Sequence, residues 1–519
     1  MASSYILGLD YGTDSARGVL IDAATGEQAA SHMHAYRHGV MTGSLPDGTM
    51  LRRGWALQNA ADYLEAAEDI LGSLGRDRNI QSIGIDFTAS SPMPATAAGL
   101  PLSALHPGQP HAYVKLWKHI AAQPQADAIN ADGGAFLDNF GGRVSGEWLL
   151  AKAAQIAEES PQIWKEVDRF IESGDWLVWQ LTGNEKRSLA FAAFKAQYSP
   201  GTGYPAHLVD GLSDKLASPL PIGSPAGRLS DPWRDRTGIT GEAQVAVAVI
   251  DSHAVLPAVG AVTGGCLTSA LGTSAGHIFL AEDFCPIPRG LEGVARDGTI
   301  RGLWCYEAGQ ASFGDLLAWF TRTFPCGDTL AASFAAYNGE AAALAPGAGQ
   351  LVALDWWNGN RVPHGDAGLS GLLIGMTMNT TAAAIYRALM EALCFGTRHV
   401  ADCLTAGGLS IDRMIATSGL ADKNPLLIQI LADVLQRRVE VPQIANATAT
   451  GAAIHGAVAA GLVPDYATGA VRYGARQSTF YTPRSDHSGV YDKLYRTYRD
   501  LSENSGLRQT MHDLNAILH

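Results

Sequence analysis

The sequence predicts a mixed α/β fold in which one architecture occurs twice, and two segments carry this prediction. Residues 5–22 consist of an apolar run, a turn with Gly12-Thr13, and a second apolar run. Residues 264–283 repeat this order around Gly272-Thr273-Ser274. Each segment has the pattern of a β-hairpin, and helical patterns follow both. Two hairpins with Gly-Thr turns can also arise by chance, so the repeat favours duplication without requiring it.

Strands and helices are both predicted in the first half of the chain. In residues 5–22, Gly12 can supply the positive φ that tight hairpin turns use. Apolar residues three and four apart predict a helix over 57–74, and alternation predicts a strand over 82–87. Residues 196–240 are rich in Gly, Pro and Ser, so we expect a long excursion between elements.

The second half begins with a buried-strand pattern and continues with helices. The apolar run 245–250 has the length of a buried strand and leads into Asp251. Further predicted elements are helices over 381–405, 425–437 and 448–461 and a strand over 412–417. The last helix is dense in Gly and Ala, which permits close approach to another backbone or to a ligand.

Length and composition restrict the class of protein. The chain has 519 residues, which at about 150 residues per domain suggests roughly three domains or two large ones. Hydrophobic residues make up 47% and charged residues 17%, with a net charge of −13. This composition is typical of a globular protein with a large core. An acidic surface repels polyanions, so we expect no nucleic-acid partner, although a local metal site can still hold ATP.

The sequence shows no sign of export or membrane insertion. The six cysteines form no C-x-x-C pair, so reduced thiols are expected. The N-terminus lacks the pattern of a signal peptide, and no apolar run approaches the roughly 18 residues of a membrane span. We therefore expect a cytoplasmic protein without a membrane partner.

The first hairpin has the residues of a phosphate site. Backbone N–H groups of a glycine turn bind phosphates, and hydroxyls add donors, here from Gly12, Thr13 and Ser15. A carboxylate beside phosphates needs a cation between them, and Mg²⁺ binds phosphates together with one or two carboxylates. Asp10, at the end of the first strand, is therefore a candidate Mg²⁺ ligand. The alternative is an aspartate that stabilises the turn.

Asp251 is a candidate general base. It follows the apolar run 245–250, and strand ends often display catalytic carboxylates in α/β proteins. Phosphoryl transfer uses a carboxylate that accepts the proton of the attacking hydroxyl. His253 lies two residues further on, but an Asp-x-His pair alone does not indicate a zinc site.

A glycine turn also precedes a predicted helix near the C-terminus. Gly419 follows the strand pattern 412–417, Asn424 is suited to an N-cap, and Pro425 to the first helical position. This arrangement suits a nucleotide but is also a common strand–helix connection.

Together these segments resemble the FGGY carbohydrate kinases. The shared motifs are GxDxGT at 8–13, D-x-H-A at 251–254, LGTS at 271–274 and the glycine turn before a helix. Longer strings extend the resemblance over nearly the whole chain and are most similar to the members that act on L-ribulose. These strings are YRHGV (36–40), GIDFTA (84–89), VKLWKH (114–119), YEAGQASFGDLLAWF (306–320) and VALDWWNGNR (352–361).

The resemblance implies a fold and a reaction. The fold is the actin/Hsp70-like (ribonuclease H-like) ATPase fold, with two duplicated α/β domains and a central cleft for ATP. It implies an N-terminal domain over 1–258, a C-terminal domain over 259–505 and a tail over 506–519. The implied reaction is ATP-dependent phosphorylation of L-ribulose to L-ribulose 5-phosphate in L-arabinose catabolism, with ATP and Mg²⁺ as cofactors.

The matching positions imply roles for individual residues. Asp251 corresponds to the catalytic base and also contacts the sugar. The other implied sugar contacts are Ala89, Lys195 and Glu307, although Lys195 can also be read as a solvated surface lysine. The implied ATP contacts are Asp10, which also holds the metal, with Gly12, Thr13, Ser15, Gly272, Thr273, Ser274, Gly419, Leu420 and Asn424.

Departures from the family pattern leave alternatives open. The family shows two glycines at the adenosine turn, and Leu420 replaces the second here. Changes near the sugar pocket allow another ketopentose or a polyol, such as D-ribulose, xylulose or glycerol, as the substrate. A non-catalytic actin-like ATP-binding module is the alternative from another class. A homodimer is a family-level expectation.

Overall fold

The computed structural model describes residues 3–286 and 291–517. Strands and helices alternate along these ranges. The strands are β1 (Ser4–Tyr11), β2 (Ser15–Asp22), β3 (Gln28–Ala35), β4 (Leu57–Gln58), β5 (Asn79–Phe87), β6 (Pro92–Ala95), β7 (Val114–Lys115), β8 (Arg169–Glu172), β9 (Arg187–Ser188), β10 (Pro219–Leu220), β11 (Pro225–Arg228), β12 (Gln244–Ala246), β13 (Val249–Ile250), β14 (Cys266–Leu271), β15 (Ala275–Ala281), β16 (Gly293–Arg296), β17 (Trp304–Gln310), β18 (Val352–Leu354), β19 (Leu372–Ile374), β20 (Arg413–Thr417), β21 (Val439–Pro442) and β22 (Ser478–Tyr481).

The helices range from a single turn to seven turns. They are α1 (Ala60–Gly75), α2 (Leu102–Leu105), α3 (Gln123–Asp132), α4 (Leu149–Glu159), α5 (Pro161–Glu166), α6 (Ser173–Thr182), α7 (Leu189–Lys195), α8 (Asp231–Thr237), α9 (Asp251–Ala258), α10 (Gly314–Thr323), α11 (Leu330–Ala342), α12 (Ala382–Ala406), α13 (Gly419–Lys423), α14 (Pro425–Leu435), α15 (Ala447–Ala459), α16 (Tyr466–Tyr473), α17 (Ser485–Glu503) and α18 (Ser505–Ala516). None of the helices in the described ranges is long and apolar enough to cross a membrane.

Two large sheets share one strand order. The first sheet runs β11-β12-β5-β1-β2-β3, with β13 also paired to β5, and the second runs β16-β17-β15-β14-β20-β21-β22. In each, an antiparallel hairpin comes first in the chain (β1–β2 or β14–β15), and its first strand pairs in parallel with a later one (β5 or β20). The neighbouring strands at the centre of the first sheet are β3-β2-β1-β5-β12, and those at the centre of the second are β17-β15-β14-β20-β21. If β11 and β16 are left out, each series places the third, second, first, fourth and fifth strands of its sheet side by side. This shared order confirms the predicted duplicated α/β fold.

Contacts divide the chain into two compact units. The first unit comprises Met1–Val262, Ala295–Cys305 and Ile444–Arg476, and the second comprises Thr263–Val294, Tyr306–Gln443 and Gln477–His519. The division predicted from the sequence, 1–258 and 259–505, changes domain near the same point. It differs in assigning the segments 295–305 and 444–476 to the C-terminal domain.

The helix α15 belongs to the first unit because its backbone packs directly on the sheet there. A Cβ atom at Gly8 of β1 would lie 1.8 Å from the carbonyl oxygen of Ala449, and one at Gly84 of β5 would lie 1.7 Å from that of Ala452. A Cβ atom at Gly451 would lie 1.6 Å from the carbonyl oxygen of Ala254 in α9. The Gly/Ala composition of this helix therefore serves close packing.

Local capping explains where the predicted elements begin. The helix predicted over 57–74 starts at Ala60, because the Asn59 side chain accepts a hydrogen bond from the Ala61 N–H and caps it.

The strand predicted over 245–250 is divided into β12 and β13. The C-terminal tail forms α18, and its His512 lies 2.8 Å from an oxygen of Asp366.

Candidate functional site

Three aspartates lie at the carboxyl ends of neighbouring strands in the first unit. Asp10 on β1 pairs in register with Asp86 on β5. On the other side of β5, Val249 of β13 pairs with Asp86, and β13 leads directly into Asp251. Because β1, β5 and β13 are parallel, their carboxyl ends meet at one edge of the sheet, where α/β proteins commonly bind ligands.

The middle aspartate of this edge is the most deeply placed. Asp86 is 0% exposed, and neither of its oxygens has an N–H or hydroxyl donor among the described residues. Burial raises the pKa of Asp86 well above its usual value, and the negative charges of Asp10 and Asp251 raise it further. The edge therefore carries negative charge that a proton or a cation can offset.

Asp10 shares this environment but is partly exposed. Burial raises the pKa of Asp10, while a hydrogen bond with Asp86 and the positive charge of Arg17 oppose the shift. A hydrogen bond between two carboxyl groups requires that one of them carries a proton. When a cation replaces that proton, both groups become available as ligands.

Asp251 lies where the sequence predicts it, at the end of a buried strand. It is the first residue of α9 and is partly exposed, and its Oδ1 accepts a hydrogen bond from the Ser252 N–H at 2.7 Å. His253, in contrast, is buried, with Nδ1 2.9 Å from Thr299 Oγ1 and its ring edge-on to Phe194. The contacts of His253 are those of a packed core histidine.

The turn between β1 and β2 presents Thr13 beside a tryptophan. The Gly12 N–H donates to the Ser15 carbonyl at 3.0 Å, and the Trp117 indole N–H donates to Thr13 Oγ1 at 3.0 Å. The expectation that Gly12 adopts a positive φ is wrong, because its φ lies outside that range. The turn closes by the Gly12–Ser15 hydrogen bond with an ordinary glycine conformation.

The loop after β5 presents Ala89 alone. From Ser82 to Ala95, every residue except Ala89 is buried. Ser90, the next residue, has a φ of 63°, in the left-handed region that favours glycine. The loop therefore turns at Ser90 and leaves Ala89, a predicted sugar contact, partly exposed.

Lys195 is not the solvated surface lysine that the sequence also allowed. It is the last residue of α7 and is only 9% exposed. Its positive charge acts on buried Glu172, whose carboxylate accepts a hydrogen bond from the Ser91 N–H at 2.8 Å. Since α7 also packs against β13, the structure brings Lys195 into the same part of the first unit as the Ala89 loop and Asp251.

The second unit contains the second hairpin turn. The Thr273 carbonyl accepts hydrogen bonds from the N–H groups of Phe313 and Asp315, at 3.0 and 3.2 Å, and the Gly272 carbonyl accepts one from Gly314 at 2.9 Å. These bonds fix the turn against the first residues of α10. The Gly272 N–H donates to the Ser274 carbonyl at 3.0 Å, two residues ahead, whereas the Gly12 N–H of the first hairpin donates to Ser15, three residues ahead.

The glycine turn after β20 lies beside the same helix. A Cβ atom at Gly314 would lie 2.6 Å from the Gly272 carbonyl oxygen and 3.6 Å from Leu420 Cδ2. The two turns predicted to contact nucleotide, at Gly272 and Gly419, therefore meet at the N-terminus of α10. Both Gly272 and Gly419 are exposed.

The position in this turn that favours glycine is Ser418, and not Leu420. Ser418 has φ 79° and ψ 169°, a region populated almost only by glycine. Leu420 lies inside α13, where a side chain causes no backbone strain. Leu420 in place of the family's second glycine therefore causes no backbone strain, and a changed fit around the ribose or nucleobase stays a prediction.

Two other predicted residues in the second unit have defined partners. Asn424 caps α14 as predicted, with Oδ1 accepting from the Leu427 N–H at 3.1 Å, and its amide donates to Asn338 at 3.2 Å. Glu307 on β17 is partly exposed between buried neighbours, and its carbonyl accepts a hydrogen bond from the Glu292 N–H at 2.9 Å. Asn424 thus connects α14 with α11. Glu307 is a partly exposed acidic residue on β17.

The sequence interpretation missed Asp86 as a site residue. The string Gly84-Ile85-Asp86 repeats Gly8-Leu9-Asp10, and the two strings pair residue by residue. This repeat, together with an aspartate inside an apolar strand pattern, was the available signal. The importance of Asp86 depends on a parallel pairing that local patterns do not show.

Comparison with known proteins gives consistent similarities. The family model described as the FGGY family of carbohydrate kinases, C-terminal domain, matches residues 267–460. A ribulokinase from Halalkalibacterium halodurans is 38% identical, covering 98% of this chain and 96% of its own length, and a ribulokinase from Mycolicibacterium smegmatis is 39% identical over 97% and 94%. The crystal structure of xylulose kinase from Rhodospirillum rubrum has a TM-score of 0.83 at 23% identity, covering 98% and 100%.

Proposed function

Since the chain belongs to the FGGY family of carbohydrate kinases, we propose that it transfers the γ-phosphoryl group of ATP to L-ribulose, forming L-ribulose 5-phosphate. The ribulokinase relatives, which match almost the entire chain at 38–39% identity, support this substrate. The observation that carries the proposal is the carboxylate edge, where partly exposed Asp251 follows β13 beside Asp86 and Asp10. A role in L-arabinose catabolism and a cytoplasmic location are parts of the same proposal.

Asp251 acts as the general base in this proposal. Its carboxylate accepts the proton of the terminal hydroxyl of the sugar, and the hydroxyl oxygen then bonds to the γ-phosphorus while the bond to the bridging oxygen of ADP breaks. A positioned base of this kind contributes roughly 10²–10⁴-fold to the rate. The position of Asp251 at the start of α9 suits this role, because partial exposure leaves its carboxylate accessible.

The carboxylate edge also fits Mg²⁺. Asp86 has two buried oxygens without N–H or hydroxyl donors among the described residues, and Asp10 is its neighbour in register. Hard carboxylate oxygens are the protein ligands that Mg²⁺ prefers. Asp10 and Asp86 would hold the ion, directly or through water, and bound Mg²⁺ would offset the negative charge of the ATP phosphates.

The remaining predicted residues supply binding. Thr13 and the Gly12 turn in the first unit, and the turns at Gly272 and Gly419 in the second, contribute backbone and hydroxyl groups to nucleotide binding. In the first unit, Ala89 and Lys195 contact the sugar together with Asp251. Glu307 of the second unit supplies a further acceptor for sugar hydroxyls. Buried polar groups left unpaired by a wrong sugar would discriminate against it.

The test is ADP formation over a panel of acceptors: L-ribulose, D-ribulose, D-xylulose, L-xylulose and glycerol. We expect the highest kcat/KM with L-ribulose. Asp251→Asn should lower kcat by roughly 10²–10⁴-fold with an unchanged thermal unfolding midpoint. Preference for xylulose or glycerol would replace the substrate but retain the reaction. Turnover of ATP that no sugar stimulates, or sugar-stimulated turnover that survives Asp251→Asn, would contradict the proposal.

A further inference from the structure

A fully buried lysine lies beneath the loop that presents Ala89. Lys152 on α4 is 0% exposed, and its Nζ donates to the carbonyl oxygens of Ser90 at 2.6 Å, Leu116 at 2.8 Å and Lys115 at 3.3 Å. Burial lowers the pKa of Lys152. Three carbonyl acceptors nevertheless match the three protons of an ammonium group, so the geometry corresponds to the charged form.

The carbonyl bound most closely belongs to the strained residue of the loop. Ser90 has a φ of 63°, which costs a residue with a side chain about 1 kcal/mol or more unless its surroundings hold it. The Lys152 ammonium provides such a hold, because a charge-assisted hydrogen bond at 2.6 Å fixes the direction of the Ser90 carbonyl. This bond fixes the peptide group that follows Ser90, and Ala89 is joined directly to the residue held in this way.

The residues after Ser90 are fixed from the opposite side. The Ser91 N–H donates to Glu172 at 2.8 Å, and the Ser91 carbonyl accepts a hydrogen bond from the Ser173 hydroxyl at 2.6 Å. Burial raises the pKa of Glu172, while the hydrogen bond from the Ser91 N–H and the positive charges of Lys152 and Lys195 oppose this shift. The loop is therefore held at consecutive peptide groups, and Ala89 is its only partly exposed member.

The other two bonds of Lys152 lead to the segment that contacts the phosphate turn. They bind the carbonyls of Lys115 and Leu116, directly before Trp117, whose indole N–H donates to Thr13 Oγ1 at 3.0 Å. One ammonium group thus connects the backbone beside a predicted sugar contact with the backbone beside a predicted phosphate contact.

Burying an ammonium group in a protein core costs desolvation free energy. Well-packed apolar residues in place of a buried charge network are often neutral or stabilising, so stability alone does not account for a lysine here. We propose that Lys152, together with Glu172, is a positioning residue that holds the 88–91 loop so that Ala89 forms part of the sugar site. This inference rests on the proposed function, because it assigns the loop to sugar binding.

The test compares Lys152→Met with wild type in steady-state kinetics and in direct calorimetric titration with L-ribulose. Methionine retains most of the length of the side chain but donates no hydrogen bond. We expect the KM and the Kd for L-ribulose to rise about tenfold or more, with a smaller rise in the KM for ATP, because Lys152 also binds the carbonyls before Trp117. Lys215→Met is the matched control, because Lys215 also donates to a main-chain carbonyl, that of Val167 at 2.6 Å, away from the loop. It should leave both KM values unchanged.

Two further variants keep the test decisive if Lys152→Met folds poorly. Glu172→Gln retains an acceptor for the Ser91 N–H but removes the charge. It should raise the KM for the sugar by a smaller factor than Lys152→Met does. Adding Ser90→Gly to Lys152→Met should restore part of the sugar affinity, because glycine adopts the φ of this position without strain. A merely structural lysine would show neither a sugar-specific effect nor this restoration.

The outcomes separate the inference from the proposed function. If wild type phosphorylates L-ribulose but Lys152→Met and Glu172→Gln lower only the unfolding midpoint and leave the sugar KM and Kd unchanged, the positioning role is wrong and the function stands. If wild type phosphorylates none of the sugars in the panel, the proposed function fails, and the inference fails with it.

Discussion

Ser418 holds a backbone conformation that costs free energy at a turn predicted to contact nucleotide. Its φ of 79° and ψ of 169° belong to a region used almost only by glycine, and its side chain is exposed. Strain of this kind costs about 1–3 kcal/mol and persists where surrounding structure imposes it. The turn between β20 and α13 is therefore a place where the chain carries strain beside a predicted nucleotide-binding segment.

Ser418→Gly should raise the free energy of unfolding. Relief of about 1–3 kcal/mol of strain exceeds the roughly 0.5–1 kcal/mol by which glycine favours the unfolded chain. Chemical denaturation of wild type, Ser418→Gly and Ser418→Ala distinguishes the causes. The alanine variant retains the Cβ atom and should resemble wild type, so equal stabilisation by both substitutions would contradict the explanation from strain.

At the scale of elements, the packing of α15 on the first sheet depends on glycines that face backbone. Gly84→Ala should lower the free energy of unfolding by about 3 kcal/mol or more, because its Cβ atom would lie 1.7 Å from the Ala452 carbonyl oxygen and backbone must move. Gly276→Ala is the control, since Gly276 also lies in a strand but has no neighbour within 4 Å of a built Cβ. Denaturant titration should show a change below about 0.5 kcal/mol for the control. Equal effects of the two substitutions would refute the packing argument.

A buried polar network in the second unit joins β17, the end of β18 and α17. The Asp355 carboxylate accepts hydrogen bonds from the Gln310 amide at 2.7 Å and from the Tyr498 hydroxyl at 2.8 Å. Burial raises the pKa of Asp355 from 3.8 to about 6, and the two hydrogen bonds only partly oppose this shift. A carboxyl group with a raised pKa in the folded protein binds more protons when folded than when unfolded, so it stabilises the fold at low pH.

The contribution of Asp355 should therefore decrease as pH rises through about 6. Relative to Asp355→Asn, which does not titrate, wild type should lose about 2 kcal/mol of unfolding free energy between pH 4 and pH 7. The asparagine amide can still accept from Gln310, and the Tyr498 hydroxyl can rotate to accept from it. Urea unfolding of both proteins at four pH values measures the difference, and a difference that does not vary with pH would contradict the shift.

At the scale of the whole molecule, nucleotide binding should stabilise the fold only when Mg²⁺ is present. A ligand at 100 times its Kd adds about 2.7 kcal/mol to the folded state. Asp10, Asp86 and Asp251 place three carboxyl groups at one sheet edge, which repels a triphosphate without a cation. A non-hydrolysable ATP analogue with Mg²⁺ should raise the thermal unfolding midpoint, and excess EDTA should abolish most of this rise. The same rise with and without EDTA would show that these carboxyl groups do not bind the metal.

Much of the architecture could be predicted because its signals are local. The two hairpins and the N-cap Asn424 follow from apolar runs, turn residues and capping patterns within a few positions of each other. Asp251 was found in the same way, because it directly follows an apolar run. These features depend on short-range periodicity, which the chain carries in its order of residues.

Long-range pairing decided the rest. Asp86 lies in the candidate site because β1 and β5, separated by a helix, pair in the register that sets it beside Asp10. The return of α15 to the first sheet depends on Gly8 and Gly84, which leave room for the backbone of α15, and on Gly451, which leaves room for α9.

By itself, then, the sequence determined the duplicated α/β elements and the polar and acidic residues at their ends that are suited to binding or catalysis. Only the tertiary structure decided that Asp86 completes the carboxylate edge, that Ser418 rather than Leu420 bears the strain, and that Lys152 holds the Ala89 loop. The physical reason is that each of these depends on contacts or backbone conformations imposed by distant segments, which composition and local periodicity do not encode.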